Sequence, residues 1–249
     1  MSGLRITTWP VTIPRLDRRF DGYRILQITD VHLGQGRTDK ILLQQLPGLR
    51  YDLLALTGDI VHRPRHIHLI RPFLERLGQA VSPPDGIVAV WGNHDSKAPD
   101  EIVAGLPIRW LNNEAMQLRR GSAMLNLIGI NQKHRNLSDL IGPLLRIEPG
   151  SPVILLAHYP STVYWFNGAI DLVIAGHTHG GQVRLPGLPH MTNDDFSWRH
   201  AAGLHRIGQT QLVVSRGMGR SGLLPFRVFA PAELTVVELK STVSPEAAD

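Results

Sequence analysis

Side chains of the types that bind divalent metals follow apolar segments at five places along the chain. These places hold Asp30 and His32, Gly58 and Asp59, the run Gly92-Asn93-His94-Asp95, His158, and the run Gly176-His177-Thr178-His179-Gly180-Gly181. Carboxylate oxygens, amide oxygens and imidazole nitrogens are hard or borderline metal ligands. The glycines allow sharp turns beside the ligands, because they tolerate backbone conformations closed to other residues. The pattern therefore predicts a metal site.

The spacing within two of these places predicts which side chains lie together. In an extended backbone, residues i and i+2 point to the same side and lie about 6.5 to 7 Å apart. Asp30 and His32 are therefore expected to face one side. The same spacing predicts that His177 and His179 also share a side.

The number of donors indicates two metal ions rather than one. Besides His94 there are seven candidate ligands, which are Asp30, His32, Asp59, Asn93, His158, His177 and His179. One ion with an open position needs three or four protein ligands. If Asp59, which is central in the set, bridges two ions, each receives four ligands, and such ions lie about 3.5 to 4 Å apart. Mixed carboxylate and imidazole donors suit divalent manganese, iron or zinc better than magnesium, and manganese is the first expectation.

Each of these residues also has an ordinary structural explanation. A histidine after an apolar strand, such as His158, is often a hydrogen-bonded core residue. Asp59 can cap a helix, and Asn93 can form a turn. For all five places to be incidental, every strand of the set would have to end in a metal-type residue by chance. The metal site is therefore the favoured interpretation.

The segments that precede these residues are short and rich in isoleucine, valine and leucine, as buried strands are. Strands are predicted at 23–29, 53–57, 87–91, 124–130, 153–157 and 172–175. Helical patterns cover 39–46 and 67–77, and a weaker one covers 99–106. Strands that alternate with helices predict a largely parallel sheet covered by helices, whose carboxyl-end edge forms a crevice.

The C-terminal third has a different pattern. Short strand candidates at 182–185, 204–207, 211–215 and 234–239 are separated by turn residues, with hardly any helix between them. We expect a second, mostly antiparallel sheet packed on the first, and a hairpin within 201–214. The sequence has no repeat of 20 to 50 residues and no linker-like change of composition. A single domain over 1–249 is therefore predicted.

Composition excludes several classes of protein. The chain of 249 residues has no cysteine, which rules out disulfides, thiolate metal sites and a cysteine nucleophile. It has no long apolar segment, and the residues before Pro14 lack the features of a signal peptide, so a cytoplasmic location is expected. The formal charge of +5 favours anionic partners, although only Arg15, Arg18 and Arg19 form a dense basic cluster. Peripheral membrane contact through this cluster or Trp9 stays open, as does the oligomeric state.

Taken in order, the five motifs resemble those of the calcineurin-like metallophosphoesterases. The matching residues are Asp30-Val31-His32, Gly58-Asp59, Gly92-Asn93-His94-Asp95, His158 and Gly176-His177-Thr178-His179. The continuation from Gly180 to Pro186 and the tail from Gly217 to Ser221 resemble a bacterial, single-domain, phosphodiesterase-like branch of that family. The resemblance implies an α/β fold, a four-layer α/β/β/α sandwich of two mixed sheets flanked by helices. Its core motifs fall in 23–185, and the C-terminal second-sheet strands and tail fall in 203–240.

The resemblance also implies a role for each ligand. It assigns Asp30, His32 and His179 to one ion, Asn93, His158 and His177 to the other, and Asp59 to both. By the same resemblance, His94 is not a ligand but stands beside the ions and faces the leaving group. Some family members orient this histidine with an aspartate three residues after the bridging aspartate, where this chain has His62. Asp95 is available for the task, although neighbouring side chains usually diverge.

The function predicted from these residues is phosphoester hydrolysis, with a phosphodiester as the expected substrate. Two divalent ions acidify a bridging water, aim the resulting hydroxide at phosphorus and neutralise the phosphoryl oxygens. His94, as an imidazolium, would protonate the departing alkoxide. Four arginines near the motifs could contact the phosphate, and ordinary surface positions are the alternative. They are Arg63, Arg65, Arg216 and Arg220.

Two other functions remain open at this point. Relatives with this kind of core are pyrophosphohydrolases of a lipid-linked nucleotide-sugar such as UDP-diacylglucosamine. A long apolar lid helix would support that activity, and the sequence contains none. The isoelectric point near 10 suggests nucleic-acid binding. That function calls for a basic stripe with interleaved aromatic residues, but aromatic residues form only 6% of the chain, so no specific nucleic acid is expected.

Overall fold

The computed structural model describes residues 4–132, 142, 147, 149–166, 168–184, 197–222 and 226–242. The strands with described bounds are β1 (Arg5–Ile13), β2 (Arg24–Ile28), β3 (Leu53–Thr57), β4 (Ile87–Val90), β5 (Arg109–Trp110), β6 (Glu114–Arg120), β7 (Ala123–Gly129), β8 (Val153–Leu156), β9 (Leu172–Ala175), β10 (Gly203–Ile207), β11 (Thr210–Val214) and β12 (Glu233–Ser241). The α-helices with described bounds are α1 (Thr38–Gln45) and α2 (Ile70–Ala80). Short 3₁₀ turns lie at Arg18–Phe20, Leu46–Gly48, Pro64–Leu69, Asn93–Asp95, Asp100–Val103, Pro160–Trp165, His179–Gly181 and Trp198–His200.

The strands form two six-stranded sheets. The first has the order β1-β12-β2-β3-β4-β5, in which only the pairing of β12 with β2 is antiparallel. The second has the order β10-β11-β9-β8-β7-β6 and is parallel at its centre, with β10 and β6 as antiparallel edges. Both sheets are therefore mixed, as expected.

The central strands, such as β3 and β8, are buried and apolar on both faces, because each sheet is covered on both sides there. Along β3, Leu53 contributes to the core between the sheets, whereas Leu54 packs on the helical side. Along β8, Ile154 belongs to the core between the sheets and Leu155 to the opposite face, which residues of the 160–165 turn cover. This alternation follows from the two-residue period of a strand. It agrees with the predicted sandwich of two sheets between outer layers; among the described residues, α-helices form this layer on the first sheet and the 160–165 turn lies on the second.

Helix α2 shows why a helical layer forms on the outer face of the first sheet. Its buried residues are Ile70, Phe73, Leu74 and Leu77. Their spacing of three and four residues aligns them on one face of the helix. Each such side chain contributes about 1.5–3 kcal/mol when it leaves water. The helix is thereby fixed against the outer face of the first sheet.

Several expectations about the elements were wrong. The second sheet is not mostly antiparallel, because β7, β8, β9 and β11 form its parallel centre. The C-terminal strand β12 joins the first sheet instead. The weak helical pattern at 99–106 yields only the turn Asp100–Val103. The candidate at 182–185 gives an isolated bridge between Val183 and Val228, and residues 185 and 186 lie outside the described ranges.

The basic cluster near the N-terminus is largely paired with acids. Arg15 lies 2.7 Å from Asp171, and Arg19 lies 2.7 Å from Asp17. The predicted membrane contact of this cluster stays a prediction. Among the described residues, no helix has the length and apolar character needed to cross a bilayer.

Candidate metal centre

Residues just beyond the carboxyl ends of five strands line one crevice between the two sheets. The first sheet supplies Asp30 after β2, Asp59 after β3 and Asn93 after β4. The second supplies His158 after β8, and His177 and His179 after β9. The sequence pattern located these strand ends correctly but placed them in a single sheet. The structure brings them together because the central strands of both sheets end at the same side of the sandwich.

The backbone of most candidate ligands is left-handed rather than extended. The φ angles are 52° for Asp30, 49° for His32, 54° for Asp59, 69° for His177 and 52° for His179. Such angles are uncommon outside glycine and indicate functional sites when they cluster. The extended backbone assumed for these residues was therefore wrong, although Asp30 and His32 do enter the same group, as predicted. His177 and His179 do not share a side but enter different groups of ligands.

The first group consists of Asp30, His32 and His179, all buried. The Nε2 atoms of His32 and His179 are 3.1 Å apart. The Oδ1 atom of Asp30 lies 3.4 Å from Nε2 of His179 and 3.8 Å from Nε2 of His32. This oxygen is buried and has no hydrogen-bond partner among the described residues. Three donor atoms thus converge on one point.

The second group consists of Asp59, His158 and His177. Nε2 of His158 lies 3.1 Å from Nδ1 of His177 and 3.2 Å from Oδ2 of Asp59. The Oδ1 atom of Asn93 lies 3.1 Å from the same Nε2 atom. Asn93 therefore joins this group as a fourth donor.

Asp59 lies between the two groups. Its Oδ2 atom is 3.7 Å from Nε2 of His32 in the first group, in addition to its 3.2 Å contact with His158 in the second. Its Oδ1 atom accepts a hydrogen bond of 2.8 Å from the backbone N–H of His94. This is the position expected for a carboxylate shared by two ions.

The donor atoms fit a metal centre. A metal ion holds nitrogen and oxygen ligands at about 2.0–2.2 Å, which places neighbouring donors roughly 3 Å apart. The contacts within each group run from 3.1 to 3.8 Å. Two facing imidazole nitrogens such as those of His32 and His179 repel unless a proton or a cation lies between them. The site therefore has the donors, the burial and the spacing that divalent ions require.

Surrounding contacts fix the orientation of the ligands. Nδ1 of His158 lies 2.9 Å from the carbonyl oxygen of Thr57, which leaves its Nε2 atom to face the centre. The backbone N–H of His177 donates to Oδ2 of Asp30 at 3.0 Å. A Cβ atom at Gly176 would lie 2.5 Å from the same Oδ2 atom, so only glycine fits there.

The structure shows what holds His94. Its Nδ1 atom lies 2.7 Å from the backbone carbonyl oxygen of His62. A carbonyl oxygen only accepts hydrogen bonds, so Nδ1 carries the proton that it donates. The Nε2 atom is left to face the centre, 4.0 Å from Oδ2 of Asp59. The His62 ring also stacks near that of His94, with centroids 5.9 Å apart.

Asp95 does not contact the His94 ring in the way that was considered from the sequence. Its buried carboxylate accepts hydrogen bonds from the backbone N–H groups of Ile60, Val61 and Gly92. Asp95 thereby ties the loop after Asp59 to the loop that carries Asn93 and His94. Its role is to hold two loops of the site in register.

Arg227 is part of the site and was not predicted to be. Its guanidinium donates to the carbonyl oxygens of five residues that surround the first group, and its Nη2 atom lies 3.2 Å from Nδ1 of His179. The carbonyl groups belong to Arg216, Gly217, Gly219, His179 and Ala230. Burial lowers its pKa to about 10, so it stays charged at neutral pH. An arginine far along the chain from the motifs gives no sequence signal for such a contact.

The arginines predicted to contact phosphate occupy different environments. Arg63 and Arg65 are exposed, and Arg220 is half-buried. Arg216 lies 3.0 Å from the buried carboxylate of Glu233, so it already has an anionic partner. Phosphate contacts by Arg63, Arg216 and Arg220 stay predictions.

Burial and mutual charge shift the pKa values of the candidate ligands strongly. Burial raises the pKa of Asp30 to about 6 and lowers that of His32 to about 3. Burial also opposes charge on His158, but the Asp59 carboxylate outweighs it and raises the pKa of His158 to about 10. For Asp59, burial is outweighed by His158, and the pKa falls below its ordinary value. A proton on His158 therefore competes with any cation that binds there.

Two facing mixed sheets thus carry two groups of candidate metal ligands at their carboxyl ends, an arrangement that suits metal-dependent hydrolysis. Residues 23–181, more than half of the chain, match the calcineurin-like phosphoesterase family. The chain belongs to this family, whose members depend on two metal ions.

Individual relatives agree with this assignment. The metallophosphoesterase YkuE of Bacillus subtilis (strain 168) is 29% identical over 237 residues, which cover 90% of this chain and 81% of YkuE. The UDP-2,3-diacylglucosamine pyrophosphatase LpxG of Chlamydia muridarum is 24% identical over 304 residues, which cover 94% of this chain and 88% of LpxG. The structure of the phosphopantetheinyl hydrolase PptH of Mycobacterium tuberculosis superposes with a TM-score of 0.51 at 10% identity, over 92% of this chain and 99% of PptH. This last likeness concerns the fold alone.

Proposed function

We propose that the chain is a phosphodiesterase that works with two divalent metal ions, with manganese as the first candidate. The observation that supports this proposal is the convergence of seven donor side chains, from both sheets, into two groups that share Asp59. In the proposed assignment, Asp30, His32 and His179 hold one ion, and Asn93, His158 and His177 hold the other. When bound, two such ions supply a nucleophile at neutral pH and neutralise charge on the phosphoryl oxygens.

His94 is the proposed general acid. Its side chain is 27% exposed, whereas those of Asp30, His32, Asp59, His158 and His179 are 0–2% exposed. A substrate therefore reaches the centre from the side on which His94 lies. With Nδ1 donating to His62, the Nε2 atom of His94 is the one that can give a proton to the departing oxygen.

A reconstitution experiment tests the proposal. The metal-free protein is loaded separately with manganese, iron, zinc or magnesium, and hydrolysis of an aryl phosphodiester and the matching monoester is measured. Faster diester hydrolysis in the presence of at least one ion is the expected result. The variant H68A is a matched control, because His68 is an exposed histidine and should leave activity unchanged. No hydrolysis of either ester with any ion would overturn the proposal.

Pyrophosphate hydrolysis of a lipid-linked nucleotide-sugar is the second candidate. The similarity to LpxG, which extends over 94% of this chain, favours it. The described residues contain no long apolar helix that could cover an acyl chain, which counts against it. Adding UDP-diacylglucosamine in detergent to the same panel decides between the two: release of UMP faster than diester hydrolysis would favour the second candidate.

A further inference from the structure

A buried glutamine lies where the neighbouring strands β7 and β8 of the second sheet separate. Strands β7 and β8 pair in parallel as far as Gly129 and Leu156, and the N–H of Ile130 makes one more bond, to the carbonyl of Leu156. Gln132 follows two residues later and is 3% exposed.

The side chain of Gln132 continues this pairing beyond the end of the ladder. Its Oε1 atom accepts hydrogen bonds from the backbone N–H groups of His158, at 2.5 Å, and Tyr159, at 2.8 Å. Its Nε2 atom donates to Oγ1 of Thr162 at 2.9 Å. All three of these hydrogen bonds are directed at the segment that carries His158.

The backbone of Gln132 connects the same segment to the other sheet. Its N–H donates to the carbonyl oxygen of Trp91 at 3.3 Å, directly before Gly92 and Asn93. Tyr159, which Gln132 holds, packs its ring 4.4 Å from that of His177. Gln132 therefore contacts His158 directly, reaches His177 through Tyr159, and bonds the chain two residues before Asn93.

We propose that Gln132 is a positioning residue for the second metal ion. It keeps His158, and through Tyr159 also His177, at the distance from Asn93 that one cation requires. The inference rests on the proposed two-ion function. Partners that orient metal ligands contribute on the order of 10- to 100-fold to metal affinity, and a loss of this size is expected when Gln132 loses its amide.

The same strand offers a matched control. Asn126 is a fully buried amide on β7, and its Nδ2 atom donates to the carbonyl oxygen of Pro152 at 3.4 Å. In the ladder it lies opposite Val153, at the start of β8 and five residues before His158. Removing this amide perturbs the same pair of strands without touching the centre.

The test compares the wild type with Q132L, Q132E and N126L. Stepwise manganese binding is followed by calorimetry and electron paramagnetic resonance, and melting temperature is measured in parallel. Q132L is expected to bind the first ion like the wild type and the second about 10- to 100-fold more weakly. Q132E is expected to bind the second ion as the wild type does. Its carboxylate can accept hydrogen bonds from both N–H groups, and the Thr162 hydroxyl can donate to it. N126L is expected to have a lower melting temperature than the wild type but to bind both ions normally.

The outcomes separate this inference from the proposed function. If the wild type takes up fewer than two ions, the two-ion function fails and the inference with it. If the wild type takes up two ions and Q132L binds both equally well, the inference alone fails. Equal weakening by N126L would also overturn it, because that result would show a general effect of strand stability. Should Q132L not fold, Q132N replaces it, since its shorter side chain cannot reach both N–H groups.

Discussion

The imidazole of His94 is held by a backbone carbonyl, that of His62, at 2.7 Å from its Nδ1 atom. A neutral main-chain acceptor thus holds His94, at the position of the sequence where some members of the family have an aspartate. This hydrogen bond depends on the position of the backbone carbonyl group at residue 62, and not on the identity of the side chain there.

This relationship predicts that H62A keeps most of its activity. The substitution removes the imidazole but leaves the carbonyl that accepts the bond from His94. We expect kcat to change far less than in H94A, and the pH profile to keep its shape. A loss as large as that of H94A would show that the His62 ring itself takes part in the reaction.

His94 itself should matter most for poor leaving groups. H94A is expected to bind metal normally but to lose roughly 10²–10⁴-fold in the rate on alkyl phosphodiesters, with a smaller loss on activated aryl diesters. Metal content and single-turnover rates on both substrates check this expectation. Equal losses on the two substrates would count against the role of general acid.

Removing the charge of Asp59 should abolish metal binding at both positions. Its carboxylate lies within 3.7 Å of donors in both groups, so D59N weakens the two sites together. A loss of more than about 100-fold in manganese affinity is expected, with no measurable hydrolysis. D39N, which alters a surface ion pair with Arg76, is the control and should bind manganese as the wild type does.

Metal uptake should depend on pH in a defined direction. In the ion-free protein the pKa of His158 is raised to about 10, so a cation must displace its proton at neutral pH. The affinity for the metal ion should therefore rise about tenfold per pH unit up to pH 10, and each binding event should release one proton. Below pH 6 the dependence should steepen, because Asp30, whose pKa is raised to about 6, also becomes protonated. Calorimetry in buffers of different ionisation enthalpy measures the proton release.

Asp95 should contribute to stability rather than to metal binding directly. D95A leaves three buried N–H groups without their acceptor and is expected to lower the free energy of unfolding by about 2–4 kcal/mol. Denaturant unfolding of the metal-free protein measures this change. E101A, at an exposed acid, should have almost no effect. A normal unfolding free energy in D95A would mean that water replaces the carboxylate at all three groups.

The sequence was most informative about the residues that carry the chemistry. Metal-type side chains directly after apolar strands identified residues that the structure brings together, because ligand chemistry restricts the residue types at each position. Their grouping could not be derived from strand alternation, since five of the seven, among them Asp30 and His177, have left-handed backbones.

Contacts between distant segments were harder to predict. The pairing of β1 with β12 joins residues more than 200 positions apart, and no local pattern encodes it. The contacts of Arg227 and Gln132 could not be predicted for a related reason. Each acts on main-chain groups of another segment, and such a contact imposes no spacing on the sequence.

The placement of β12 has a consequence for how the protein is made. This strand follows the other described strands in the chain, yet it lies between β1 and β2 inside the first sheet. Until β12 leaves the ribosome, β2, which leads to Asp30, lacks one of its neighbouring strands. Strand β1 lacks the strand with which it pairs. The first sheet, which carries Asp30, Asp59 and Asn93, is thus completed only after β12 has been synthesised, and its assembly depends on the slow formation of pairings between distant segments.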